Sequence, residues 1–196
     1  MKYSVLTLLF ILTTIGTILA QDTTTSKNKL GITLSTNIFG FDDEPNKVAL
    51  GGGFYFNRNI APKFSIYSEL TGSNRNYGDL AIRPGLSGGL TTSNLAIYIA
   101  PMFEIGKKSN LSVGIVQNYL ISSNLKTSTS TIDIGTDTKN YSSILIDFRY
   151  QISNKISLGT RYEWGLNSMF KSIDRKVTSI SFATFIKFGS KVNQRK

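Results

Sequence analysis

The chain of 196 residues contains neither cysteine nor histidine. Without cysteine it has no disulfide, no thiolate nucleophile and no sulfur ligand for a metal. Without histidine it lacks the side chain that most often serves as general base and as zinc or iron ligand. Serine–histidine esterases, histidine-dependent membrane phospholipases and zinc deaminases are therefore excluded, and the chain is expected to be no enzyme and to need no cofactor or metal. Charge is also scarce, at 17% Asp, Glu, Lys and Arg, where a water-soluble domain carries about 25%. Much of the surface is expected to face something other than water.

What is present is sheet-forming material. Seventeen Gly, nine Tyr and twelve Phe, with few strong helix formers beyond the N-terminus, favour strands over helices. The net charge of +10 raises nucleic acid as a partner, but the Lys and Arg are dispersed and no RNA-binding aromatic motif accompanies them, so nucleic acid is not expected.

Residues 1–20 begin with Lys2, run apolar from Val5 to Leu19 broken only by Thr and Gly, and end at Ala20 before the polar Gln21-Asp22-Thr23-Thr24. This is the layout of a secretory signal peptide. Cleavage after Ala20 would leave residues 21–196 as one domain. No later apolar stretch is long enough for a membrane helix, so any remaining membrane contact must be made by strands.

Eight segments alternate with period two, the mark of a strand with two unlike faces. The first sets Leu30, Ile32, Leu34 and Ile38 against Gly31, Thr33, Ser35 and Asn37, and the second sets Val48, Leu50, Phe54 and Phe56 against Ala49, Gly51, Gly53, Tyr55 and Asn57. The others cover residues 64–71, 95–105, 111–121, 143–152, 156–166 and 179–188; in the last, Phe185 falls on the small-residue side. The apolar faces are interrupted at Thr36, Gly52, Ser68, Gln117, Thr160 and Thr184, and never by a charge. Connections on one side, 57–63, 106–110 and 153–155, are short. Those on the other, 73–94, 122–142 and 167–176, are long, with 42–46 the exception. Short inner turns, long outer loops, an even strand count and ~10-residue segments predict an all-β, eight-stranded antiparallel up-and-down transmembrane β-barrel. Pro84-Gly85 and Gly88-Gly89 predict a flexible excursion in the first long loop.

The second face decides which side meets lipid. In a soluble barrel it would be solvated and rich in Lys and Glu, whereas here it is Gly, Ser, Thr, Ala, Asn and Tyr, which suit the crowded interior of an eight-stranded barrel. Phe54, Phe56, Phe64, Phe103, Tyr150 and Phe188 fall toward the short-turn ends and Tyr119, Tyr162 and Trp164 toward the long-loop ends, as two aromatic girdles. Charges on the inward face must pair. Glu69, Glu104 and Glu163 with Asp147, Arg149 and Arg161 are thus expected to form a structural network in the lumen. A hairpin centred on Asn154 places Asp147 opposite Arg161, while sliding by two residues would oppose Asp147 to Glu163 and Arg149 to Arg161, two like-charge pairs that each cost up to about 1 kcal/mol.

The run Lys47-Val-Ala-Leu-Gly-Gly-Gly-Phe-Tyr-Phe, followed by Phe64-Ser-Ile-Tyr-Ser-Glu-Leu, Leu95-Ala-Ile-Tyr-Ile-Ala-Pro and Leu158-Gly-Thr-Arg-Tyr-Glu-Trp-Gly-Leu, resembles the small outer-membrane β-barrel family of Bacteroidetes called PorT-like. The resemblance covers nearly the whole chain after residue 20 and implies an outer-membrane location and an eight-stranded barrel. Its motifs are patterns of strand physics and identify no chemistry. One departure is that such barrels often finish at a terminal aromatic read by the assembly machinery, whereas this chain continues from Phe188 through eight further residues to Lys196.

Smaller signals are weaker. Gly51-Gly52-Gly53 lacks the GK[ST] of a phosphate loop and reads as relief of crowding within a strand. The Thr-, Ser- and Asp-rich tract 126–139 reads as a solvated outer loop. Arg58, Lys63, Lys107, Lys108 and the C-terminal tail lie near the inner rim, where they could meet anionic head groups. The expected function is a structural or interaction barrel in the outer membrane with a filled lumen, its partners being lipid and a protein on the outer or periplasmic side. A narrow solute channel is one alternative. A secreted soluble barrel that holds an apolar ligand, with its faces reversed, is the other.

Overall fold

A computed structural model describes residues 28–41, 47–83 and 86–188. Residues 1–27, which hold the expected signal peptide, the connection 42–46, Pro84-Gly85 and the tail after Phe188 lie outside the described residues. Nine strands follow in chain order: β1 Asn28–Phe41, β2 Lys47–Ala61, β3 Phe64–Arg83, β4 Leu86–Glu104, β5 Ser109–Lys126, β6 Thr131–Asp133, β7 Tyr141–Gln151, β8 Ile156–Gly165 and β9 Val177–Lys187. All but β6 form a closed antiparallel ring, β1-β2-β3-β4-β5-β7-β8-β9, that returns to β1. β6 is a short addition to the outer end of β5. Closure leaves the membrane-level backbone without a free edge, which is why a barrel can cross hydrocarbon.

The pleat sends the two residue sets in opposite directions. Leu50 is 74% exposed, Leu34 55%, Phe182 56% and Trp164 57%, while Tyr67, Asn118 and Leu145 are 0% exposed. An apolar wall of this extent is far beyond what a soluble monomer shows to water. The reversed-face, lipocalin-like alternative is thereby overturned: large apolar side chains point out, and polar and charged ones fill the middle of the lumen. Phe185 faces inward at 2% exposure.

Two glycines are dictated by close approach. A Cβ on Gly53 would lie 1.9 Å from the Leu70 carbonyl oxygen, so β2 and β3 can come together there only because none exists. A Cβ on Gly31 would meet the ring of its cross-strand partner Tyr55 at 2.5 Å. The tyrosine lies across the space that the glycine vacates.

The long connections differ from expectation. Residues 73–94 are mostly strand: β3 and β4 stay paired from Phe64↔Phe103 to Arg83↔Leu86, and Gly88 and Gly89 sit in β4 opposite Leu80 and Asp79. β3 has 20 residues, roughly 66 Å at about 3.3 Å each, against the ~10 residues that cross the apolar band. Its outer half therefore projects. The sequence pattern breaks there because two bulges reset the alternation. Tyr77 is the extra residue between Asn76 and Gly78, with Gly78 at φ 73°, and Ile121 is the extra residue between Leu120 and Ser122. Beyond them Leu80 and Leu125 turn inward, and both are buried.

Those inward residues build a second, apolar core over the long-hairpin mouth. Phe39, Phe41, Tyr77, Leu80, Leu90 and Leu125 of the strands pack with Ile134, Met169 and Phe170 from the two loops beyond β6 and β8. The Phe41 and Tyr77 rings stack at 4.8 Å. The loops are tied together by Lys139 N donating to Met169 O at 2.8 Å and Lys171 N donating to Asp137 O at 3.0 Å. The tract 126–139, read as a solvated loop, is thus partly a lid: Ile134 is 1% exposed.

Candidate functional site: the occluded lumen and its two ends

The register of β7 and β8 sets the charged layer. Asp147 pairs with Arg161, Leu145 with Glu163 and Arg149 with Gly159. The inward side chains at this level come from opposite walls. Counting round the ring, β8 lies four strands from β3, so a contact between them spans the full diameter. Arg161 of β8 makes that contact. Its Nη1 donates to Glu69 Oε1 at 3.0 Å and its Nη2 to Tyr67 Oη at 2.7 Å, and a second bond joins Nη2 to Glu69 Oε2. Its Nε lies 3.6 Å from Asp147 Oδ2. The Nη edge of the guanidinium is thus held by the Glu69 carboxylate in the forked geometry that favours Arg in buried pairing, while Nε faces Asp147 at ion-pair distance without a hydrogen bond.

Arg149 completes the layer. Its Nε donates to Asp147 Oδ2 at 2.7 Å, and Nη2 bonds the same oxygen. Its guanidinium carbon lies 3.7 Å from the Tyr67 ring centre and 3.8 Å from that of Phe185, a cation held between two aromatic faces. Toward the outer end, Tyr98 Oη donates to Glu163 Oε1 at 2.9 Å and Arg75 Nη1 donates to Tyr141 Oη at 2.7 Å. Among the described residues the buried charged ones are Glu69, Arg75, Asp147, Arg149, Arg161 and Glu163, three of each sign. The lumen is neutral and bridged.

Glu69, Asp147, Arg149, Arg161 and Glu163 of the expected network come together. Glu104 does not: it is exposed at the end of β4 and lines a cavity of about 350 Å³ at the short-turn mouth. Its inward parity holds, but β4 ends there, and the residue lies beyond the level of the charged layer. Sequence reasoning missed Arg75, Tyr67, Tyr98, Tyr141 and Phe185 as members. Arg75 and Tyr141 fell in segments assigned to loops, while Phe185 was visible as the one large residue out of place on β9.

The nine girdle aromatics lie on the outward face. Phe103, Tyr119, Tyr150, Tyr162, Trp164 and Phe188 are exposed, and Phe56 and Phe64 are half-buried, Phe64 partly by the Phe103 ring at 5.3 Å. Phe54, 62% exposed, sits at the midpoint of β2 opposite Ile32 and Leu70. It belongs to the middle of the wall and not to a rim, because β2 starts earlier and ends later than its alternation indicates.

The chain matches no protein-family model and no curated protein sequence. Its fold does match solved outer-membrane barrels. The attachment invasion locus protein Ail of Yersinia pestis, solved with the heparin analogue sucrose octasulfate, superposes with a TM-score of 0.51 at 11% identity over 82% of this chain and 97% of that one. Neisserial surface protein A superposes with a TM-score of 0.52 at 10% identity over 83% of this chain and 98% of that one. At such identities the likeness carries the architecture alone. The chain has the fold of outer-membrane β-barrels: the closed eight-stranded ring, its apolar outer wall and these neighbours agree. The wall has the apolar composition that such barrels turn toward lipid.

Proposed function

We propose that the protein is a non-conducting outer-membrane platform, acting through what its projecting hairpins present outside the cell. One observation carries this reading: the Arg161–Glu69 bridge crosses the whole lumen diameter. Above it the apolar core closes the long-hairpin end a second time. A barrel blocked twice has only its surfaces left to work with. The named role of Ail in attachment is of this kind, but the support here is the chain's own β3–β4 hairpin, which extends well past the apolar band.

The orientation places the short turns in the periplasm and the long hairpins outside. Export follows from the signal layout of residues 1–20, with cleavage after Ala20. The PorT-like resemblance is supported by the order of its four strand motifs and by the barrel itself.

Planar-bilayer recording of the refolded chain tests the platform reading. No conductance steps are expected, and ohmic steps of constant size would overturn it in favour of the narrow channel. An epitope inserted between Ser128 and Thr129, in the β5–β6 turn, should bind antibody on intact cells. Labelling only after permeabilisation would invert the orientation. The mass of the membrane-extracted chain should begin at Gln21.

A further inference from the structure

The mouth at the short-turn end is built differently from the rest of the lumen. Its cavity of about 350 Å³ is lined by Lys29, Lys63, Lys155, Lys187 and Arg149, with Glu104 the only lining carboxylate among the described residues. The cations stand on separate sides of the ring. Lys29 and Lys187 come from the adjacent strands β1 and β9, Lys63 from the β2–β3 turn and Lys155 from the β7–β8 turn. Backbone bonds fix their neighbours: Lys187 N donates to Lys155 O at 2.8 Å, and Glu104 N donates to Lys63 O at 2.9 Å. Glu104 is thereby stationed beside Lys63. Lys155 and Lys187 stand with Lys29 toward the other side, and the charges of both Lys187 and Glu104 reach Lys29.

The floor is shaped as well as charged. Arg149 is held by Asp147 and by the Tyr67 and Phe185 rings, and it also lines the cavity. Tyr55 and Phe185 pack edge to face beneath it, their ring centres 5.7 Å apart, and Asn57, Asn110 and Gln151 add amides around the wall. Converging cations over a desolvated floor hold an oxyanion strongly. Amides suit the hydroxyls of a small polyhydroxylated body. The lumen is blocked above Arg149, so a ligand that enters from this end is retained and not passed through.

We propose that this vestibule binds a small soluble anion, a phosphate- or carboxylate-bearing solute of about sugar-phosphate size, with its oxyanion between Lys29, Lys187 and Arg149. The cavity opens along the barrel axis, away from the lipid-facing wall, and this favours a free solute over a lipid head group carrying the same phosphate.

The test is titration calorimetry on the full chain refolded in zwitterionic detergent, with glucose 6-phosphate as probe and glucose as the neutral control. The phosphate sugar is expected to bind and to weaken with added salt, and glucose not to bind. Lys29→Gln with Lys187→Gln should weaken binding by roughly tenfold or more, the loss of one or two charge-assisted contacts. Glu104→Gln should tighten it severalfold by removing the opposing carboxylate. A gain of affinity cannot arise from misfolding, and heat-shifted gel mobility should be unchanged in both variants. Phosphatidylglycerol added to phosphatidylcholine nanodiscs should not compete. No binding of glucose 6-phosphate, equal binding of glucose, insensitivity to both variants, or competition by phosphatidylglycerol would each overturn the assignment.

Discussion

Replacing Arg161 with alanine isolates one buried charge, and the hydrogen-bond pattern says which. Asp147 keeps two bonds from Arg149, so it stays paired. Glu69 loses both of its bonds to Arg161 and is left at the centre of the lumen, in a residue only 3% exposed. Breaking a buried pair from one side costs about 3–5 kcal/mol. The lower figure applies because only one carboxylate is orphaned, so a loss of about 3 kcal/mol is expected, more than a hundredfold in the unfolding equilibrium. Glu69→Gln is gentler: the amide oxygen still accepts from Arg161, and Arg161 keeps Tyr67 and Asp147, for a cost of about 1–2 kcal/mol. The double variant has no orphaned carboxylate at position 69. Its loss should fall short of the sum of the singles by about 1–3 kcal/mol. Guanidinium unfolding in lipid vesicles reads this out through Trp164, the one tryptophan, which stands on the outer wall at 57% exposure and changes surroundings when the barrel leaves the membrane. If Arg161→Ala unfolds with the wild type, or if the two losses simply add, the bridge across the lumen contributes nothing and the account of the charged layer fails.

Other perturbations test the wall, the strand contacts and the register. Gly53→Ala forces a Cβ into the Leu70 carbonyl and should sharply lower the fraction of chain that refolds to the heat-modifiable form; full refolding would show that β2 and β3 need not approach so closely. Leu50→Lys places a charge on the most exposed of the large apolar wall residues and should cost up to about 2–4 kcal/mol if it lies near the bilayer midplane, read from denaturant midpoints in vesicles; no change would mean that the position does not face hydrocarbon. In this cysteine-free chain Gln151→Cys with Ser157→Cys, directly opposite in the β7–β8 hairpin, should close a disulfide on mild oxidation. Gln151→Cys with Gly159→Cys, the pair that a two-residue slip would create, should not.

The barrel was legible because its lipid-crossing segments obey one rule, apolar out and small or polar in, and no outward position between Leu30 and Leu34 or between Ile144 and Ile152 carries a charge. The β7–β8 register was legible for a related reason: pairing Asp147 with Arg161 avoids two like-charge pairs. What the pattern could not show is where that rule stops. Beyond the membrane the hairpin β3–β4 keeps its backbone pairing, yet its outer face meets water, so Asn74, Asn76 and Ala81 give no alternation to read. The bulges at Tyr77 and Ile121 hide the apolar cap further, since Leu80 and Leu125 change face relative to the strands below. Arg75 and Tyr141 were lost with those segments. The vestibule escaped because its lysines are far apart in sequence and meet only when the ring closes.

The two closures differ in chemistry, and the difference explains where each lies. At the level of the apolar wall the lumen is screened from bulk solvent, so its charges pair with one another and with tyrosine hydroxyls, and among the described residues the buried acidic and basic side chains number three of each. Past the wall the strands emerge into water, and the cheapest seal is to bury hydrocarbon: Leu80, Leu90, Leu125, Met169 and Phe170 are all under 3% exposed. Two barriers in series conduct only when both are open. Loosening the loops that carry Met169 and Phe170 leaves the Arg161–Glu69 bridge in place, and breaking that bridge leaves the apolar cap. A binding event on the outer hairpins therefore has no route to open a pore by itself, and a ligand in the basic vestibule stops at Arg149. The two ends can serve separate partners while the middle of the barrel stays shut.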